Sequence, residues 1–203
     1  MAKRDFKKLH RDLYQPSVKS PALVDVPPMN FAMIDGEGDP NGSEWFAQAT
    51  EALYGVSYAL KFTVKNADPE LDYTLPPLEG LWWSDDPEGF DLADKSGWLW
   101  TLMIMQPEPV DEEMFIDAAV TVQQKQDLPG LTEMRFHTLE EGRCVTIMHI
   151  GPYADEGPTV ARLHQFIADH DLQPAGKHHE IYLGDPRKSG PEKLKTVIRQ
   201  PVA

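Results

Sequence analysis

The sequence predicts an α+β fold built from two related lobes, each running strand, strand, helix, strand, strand. Three observations predict it. Short stretches alternating apolar and polar side chains, the signature of half-buried strands, recur along the chain. Two stretches with apolar residues every three or four positions read as surface helices, each entered from an apolar strand, a glycine and a polar loop. The element order over residues 22–106 repeats over 131–200, and "NFAMIDGEG" matches "CVTIMHIGP" by type although the identity between the halves is low. The 203 residues form one domain, with a helix over 111–126 joining the lobes.

Each element has a local reason. Residues 1–20 are polar and are expected to dock loosely. "ALVDVP" is a short strand stopped by Pro27 and Pro28, which cannot donate to a ladder. "NFAMIDGEG" is an apolar strand closed by two glycines. From Ser43, an N-cap residue, "SEWFAQATEALYGVSYALKF" is a helix with Trp45, Ala49, Ala52, Val56 and Leu60 at helical spacing; Gly55 weakens it without breaking it. "LDYTLPPLEGLWWSDD" is extended but interrupted by prolines. "GWLWTLMIMQP" is apolar on both faces and is therefore expected to be a central, covered strand. "DEEMFIDAAVTVQQKQ" is a helix capped by Asp111 with acids in its first turn.

In the second half, "TEMRFHTL" and "RCVTIMHIG" are strands joined by an "EEG" turn. "DEGPTVARLHQFIADHDL" is a helix with Val160, Leu163, Phe166 and Ile167 on one side. "HHEIYLGD" and "KLKTVIRQPV" are the closing strands. Duplicated two-layer lobes pair about a pseudo-two-fold axis, and a groove there, lined from both halves, is where a small molecule is expected.

Composition narrows the function. Nineteen basic against 33 acidic residues give a net charge of −14, which repels nucleic acid and anionic membranes. The single cysteine, Cys144, forms no internal disulfide and lies in a strand, where it reads as a small buried hydrophobe. No apolar leader and no run of about 18 apolar residues is present, so a soluble cytoplasmic protein is expected. The histidines lack metal-ligand spacing, and "GEGDPNG" carries acids and no lysine, so neither a metal nor a phosphate-bearing cofactor is expected. No nucleophile elbow, P-loop or dinucleotide fingerprint occurs.

What remains is aromatic and acidic. Trp82 and Trp83 are adjacent and face opposite ways in a strand; Trp98 and Trp100 face the same way. They serve either as core or as the wall of a ligand site. Tyr153 follows a Gly-Pro turn at a strand exit, where function concentrates. Glu180 and Tyr182 share one face of "HHEIYLGD". Glu180 is either an ordinary strand acid, salt-bridged to an arginine on the next strand, or a carboxylate among aromatic rings. In the second case burial raises its pKa and makes it a base or a counter-charge.

The stretches "VDVPPMNFAMIDGEGDPNG", "ALYGVSYALKF", "PPLEGLWW" and "KHHEIYLGDPRKSGPEKLKTVIRQPV" resemble the GyrI-like small-molecule-binding domain, stand-alone branch, over nearly the whole chain. The resemblance implies an antiparallel sheet with outer helices and a central ligand groove. The region before the domain is about twenty polar residues, too short for the DNA-binding module of regulators in this family. Some stand-alone members are cyclopropanoid cyclopropyl hydrolases, which add water across the cyclopropane of yatakemycin-type genotoxins inside an aromatic cage. By that resemblance Glu180 and Tyr182 are the catalytic pair, and the ligand-binding aromatics come from Trp82, Trp83, Trp98, Trp100 and Tyr153. The implied partner is a small planar hydrophobic or cationic molecule, with no cofactor. Alternatives are a non-catalytic module that sequesters such compounds and a gyrase-inhibitor-like interaction protein.

Overall fold

The computed structural model describes residues 3–85, 95–185 and 188–203. Within these residues the chain forms eight strands: β1 (Ala22–Val26), β2 (Met29–Glu37), β3 (Leu78–Trp83), β4 (Leu99–Met105), β5 (Arg135–Leu139), β6 (Gly142–Ile150), β7 (His178–Tyr182) and β8 (Lys195–Pro201). It also forms five α-helices: α1 (Phe6–Leu9), α2 (Arg11–Tyr14), α3 (Glu44–Ala67), α4 (Glu112–Gln123) and α5 (Gly157–Asp169). The predicted extended stretch over 71–86 narrows to β3, and its last residue, 86, lies outside the described residues. The strands hydrogen-bond in the order β1-β6-β8-β7-β3-β4-β2-β5. Exchanging each strand of the first half with its counterpart in the second turns this order into its own reverse, as an internal duplication requires.

The chain packs as two compact units whose bounds differ from the two sequence halves. One comprises Met1–Phe6, Met29–Pro76 and Trp82–Leu139; the other comprises Lys7–Pro28, Pro77–Leu81 and Glu140–Ala203. The first strand of each half is the element exchanged. β1 pairs with β6, not β2, and β5 pairs with β2, not β6. Pro27 and Pro28 offer no amide donors, so the chain between β1 and β2 cannot close as a hairpin ladder. Gly142, at φ 66°, turns the chain between β5 and β6.

In the first unit α3 runs five residues beyond its predicted end at 62. The Ser43 hydroxyl accepts from the Phe46 amide, and Asp111 caps α4 in the same way through the Met114 amide. Gly55 is explained by close packing: a Cβ there would lie 3.2 Å from Leu128 and 3.6 Å from Val122. β4 is the central strand between β3 and β2, and all of it from Trp100 to Met105 is buried, as its unbroken apolar run predicts.

In the second unit α5 covers the β6–β8 face carrying Val145, Ile147 and Ile198. Leu163 and Ile167 fill the contact and Val160 and Phe166 flank it, which is the predicted apolar side of this helix. Each fully buried aliphatic side chain there contributes about 1.5–3 kcal/mol. Residues 7–20 are not loosely docked. Leu13 and Tyr14 in α2 are buried, and the Leu13 carbonyl accepts a 3.0 Å bond from Arg199 Nη2. The polar composition of that segment conceals two apolar anchors, Leu13 and Tyr14, whose carbonyl and hydroxyl bond to the buried Arg199 and Glu79. Among the described residues no helix is long and apolar enough to cross a membrane.

Candidate functional site

The pleat of β7 sorts its residues onto two different surfaces. In register with β8, His179 lies opposite Arg199 and Glu180 opposite Ile198. Ile198 belongs to the core under α5, so Glu180, with His178 and Tyr182, is on the α5 face, while His179 and Ile181 are on the reverse. The Glu180 side chain is 18% exposed. Its Oε2 accepts a 2.8 Å bond from the Tyr182 hydroxyl, and its Oε1 lies 3.2 Å from His178 Nε2. An ionised carboxylate only accepts, so Nε2 carries the imidazole hydrogen.

This arrangement corrects the expectation that burial raises the Glu180 pKa. Desolvation does push it up and is the largest single influence. The hydrogen bond and charge of His178 and the bond from the Tyr182 hydroxyl lead the influences that outweigh it and hold the carboxyl below the usual range. Glu180 is therefore an anion at neutral pH.

The turn after β6 leads into α5. Gly151 and Pro152 end β6, a single 3₁₀ turn follows at Tyr153–Asp155, and Glu156 is the N-cap residue of α5. The turn is tied down by His149. Its Nε2 donates to the Pro152 carbonyl at 3.2 Å, and its Nδ1 is 2.9 Å from the Thr159 hydroxyl. The same turn carries Tyr153, 39% exposed, whose ring meets Tyr182 edge-on with centroids 5.5 Å apart. Glu180, Tyr182 and Tyr153 are thus brought together. His164 on α5 is pushed down by burial and by the nearby His178. Thr196 faces Tyr182 across the β7–β8 pair; it is fully buried, and its hydroxyl has no hydrogen-bond partner among the described residues.

The reverse face of β7 holds a feature that sequence reasoning missed. His179 is fully buried, with Nε2 2.9 Å from Glu79 Oε2 and Nδ1 2.9 Å from Glu141 Oε1. Neutral imidazole has one N–H, and two bonds to carboxylates need two, so His179 is an imidazolium. Despite desolvation, the largest single influence, the two carboxylates raise its pKa. Arg199 Nη1 reaches Glu141 Oε2 at 2.9 Å, and the Tyr14 hydroxyl reaches Glu79 Oε1 at 3.2 Å. The Glu141 carboxyl is lowered to about 2: burial opposes the shift, but His179 and Arg199 overcome it. The arginine considered as a partner for Glu180 is spent here, one strand position away and on the other face. The one available signal was the doubled histidine before Glu180, which places a charged group on each face of a buried strand.

The tryptophans belong to the other unit. Trp82 and Trp98 meet edge-on at 5.6 Å, and Phe46 of α3 stacks on Trp82 at 6.2 Å and meets Trp100 edge-on at 5.2 Å. Trp83, on the opposite face of β3, is half-buried. Trp100 is fully buried over Gly36, where a Cβ would come within 2.1 Å of the ring, and its indole N–H has no partner among the described residues. Cys144 is fully buried, and burial pushes its thiol up to about 12, so it is no nucleophile at neutral pH. Among the described residues no group of three or more His, Cys, Asp or Glu is arranged to hold a metal.

Residues 19–203 match the GyrI-like small molecule binding domain. Three solved structures from Listeria innocua are similar throughout. An uncharacterized conserved protein is 42% identical with a TM-score of 0.91, covering 99% of this chain and 100% of its own. A hydrolase is 40% identical at TM-score 0.87 with complete coverage of both chains, and a second hydrolase structure is 40% identical at 0.84, covering 99% and 100%. No curated protein matches the sequence.

Proposed function

The chain belongs to the GyrI-like small-molecule binding domain family, and from that premise we propose that it is a hydrolase that opens a strained ring in a planar xenobiotic. The substrate class is the cyclopropane of yatakemycin-type genotoxins. The observation that carries the reading is the Glu180 carboxylate: mostly buried, ionised, and set among Tyr182, His178 and Tyr153. That whole-length relatives at 40% identity are hydrolases supports the reaction class.

In this reading Glu180 orients a water and accepts its proton as the water oxygen bonds to the ring carbon. The ring C–C bond breaks and its electron pair moves to the conjugated carbonyl oxygen, which a tyrosine O–H stabilises as charge develops. Ring strain and aromatisation supply the driving force. A Glu180 held below the usual range is a weak base, so most of its contribution is placement of the water. The test is incubation of the purified protein with a yatakemycin-type compound and mass spectrometry of the product. A gain of one water is expected; a compound of unchanged mass refutes the hydrolase reading.

A second reading has its own support. A permanently ionised carboxylate beside aromatic rings suits an organic cation, with Glu180 as counter-charge and the rings as cation–π partners. The protein would then sequester without turnover, and Glu180→Gln would weaken cation binding.

A further inference from the structure

The outward face of a surface helix is ordinarily polar, because it stays in water. The inward face of α3 buries Leu53, Val56 and Leu60 in the core. Its outward face nevertheless carries three aromatic rings. Tyr58 is 47% exposed, Phe62 is 50% exposed, and Tyr54 is half-buried. They stand four residues apart and so fall on one stripe of the helix. Tyr54 stacks on Tyr58 with centroids 6.3 Å apart and planes 29° from parallel, and Tyr58 stacks on Phe62 at 6.4 Å and 24°. Rings that hold one another form a fixed apolar ridge, and covering it costs little further ordering of side chains.

The charges at the ends of the ridge indicate what covers it. Glu51 and Lys65 are both exposed and lie about two turns before and after Tyr58, on the same stripe. At about 100° per residue, all five positions point within about 40° of the Tyr58 direction. The stripe reads acid, ring, ring, ring, base, and its spacing is symmetric about Tyr58: Tyr54 and Phe62 are four residues away on either side, Glu51 and Lys65 seven. A helix face of this pattern complements itself when turned end for end. In an antiparallel pair Tyr58 meets its own copy on the two-fold axis, Tyr54 meets Phe62, and Glu51 meets Lys65, each of the last two contacts occurring twice. A parallel pair would set Glu51 on Glu51 and Lys65 on Lys65. A net charge of −14 makes two copies repel over most of their surface, whereas this stripe holds one acid and one base.

We propose that the protein forms a homodimer through the outward face of α3, with two copies of the helix packed antiparallel about Tyr58. The rings supply the apolar centre of the interface, as aromatic residues do in other protein interfaces, and the two Glu51–Lys65 pairs fix direction and register. The dimer depends on neither the ligand nor the reaction.

Sedimentation velocity of the full chain, with far-UV circular dichroism to confirm folding, tests the proposal. Wild type should run at twice the chain mass of 22.9 kDa. Tyr58→Glu sets two carboxylates together on the axis and should run as a monomer. Glu51→Lys and Lys65→Glu each set like charges opposite one another twice, so each should weaken association at least about tenfold. The double variant Glu51→Lys/Lys65→Glu should recover the dimer, because the exchanged charges again meet as opposites. The charge variants, at exposed positions, serve if Tyr58→Glu does not fold. A wild type that is monomeric at every concentration up to about 1 mM overturns the proposal. A monomeric wild type that sediments with phosphatidylcholine vesicles overturns it too, by assigning the ridge to a lipid surface. A dimer left intact by Tyr58→Glu and by both single charge reversals overturns it by placing the interface elsewhere. Single reversals that weaken the dimer without recovery in the double variant overturn the antiparallel pairing.

Discussion

Replacing His179 with leucine should cost this protein a large part of its stability, and the structure gives the reason for the size. His179 makes two 2.9 Å bonds, one to each of two carboxylates that are themselves almost fully buried. Leucine fills the space but, among the described residues, leaves the Glu79 side chain with the Tyr14 hydroxyl and the Glu141 side chain with Arg199. Removing one member of a buried ionic network leaves an uncompensated charge and costs about 3–5 kcal/mol. For a domain of this size that lowers Tm on the order of 10 °C. Adding Glu79→Gln to the leucine variant should restore part of the loss, because it removes the stranded charge.

The pH dependence follows from the signs. The His179 pKa is raised in the folded state, so its stabilisation is fully present below the unfolded value of about 6.5 and is lost as pH rises through the folded value. The Glu141 pKa is lowered to about 2, so its stabilisation is present above the ordinary glutamate range and is lost as pH falls toward 2. Urea titrations of wild type and His179→Leu at several pH values read both limbs. A loss under about 1 kcal/mol at pH 7, or a leucine variant that keeps the alkaline decline of wild type, refutes the imidazolium assignment, since a surface-like pair is worth no more than that.

Other substitutions probe separate parts of the account. Gly36→Ala should destabilise the protein by about 1–3 kcal/mol in a thermal melt, because the new methyl meets the Trp100 ring. Trp100→Ala should cost about 3–5 kcal/mol by the same measurement. Trp98→Ala and Trp83→Ala should instead show as weaker binding of a planar ligand by titration if these rings serve the ligand. Tyr182→Phe removes one of the bonds that hold Glu180 ionised, so the acid limb of turnover should move to higher pH, read from a pH–rate profile.

Much of this architecture is legible in the sequence because its elements obey local rules. Ser43 and Asp111 announce their helices by capping, the unbroken run through Met105 announces a central strand, and the alternation in "HHEIY" places Glu180 beside His178 and Tyr182. What is not legible depends on partners distant in the chain. Nothing local shows that β1 leaves its own half to pair with β6. His179 meets Glu79, which is 100 positions away, and Glu141, which is 38 away. The sign of the Glu180 shift could not be read either. Burial is visible in an apolar neighbourhood, but the bonds from His178 and Tyr182 that reverse its effect depend on side-chain geometry that alternation alone does not give.

The central claim is that Glu180 is the group through which this protein acts on its ligand. Glu180→Gln keeps the side-chain shape and removes its charge and basicity, so the deciding measurement is turnover of a yatakemycin-type compound beside its affinity in the same variant. The account predicts a fall in turnover of roughly 10²–10⁴-fold with little change in affinity for a neutral planar compound. Turnover equal to wild type in Glu180→Gln would contradict it.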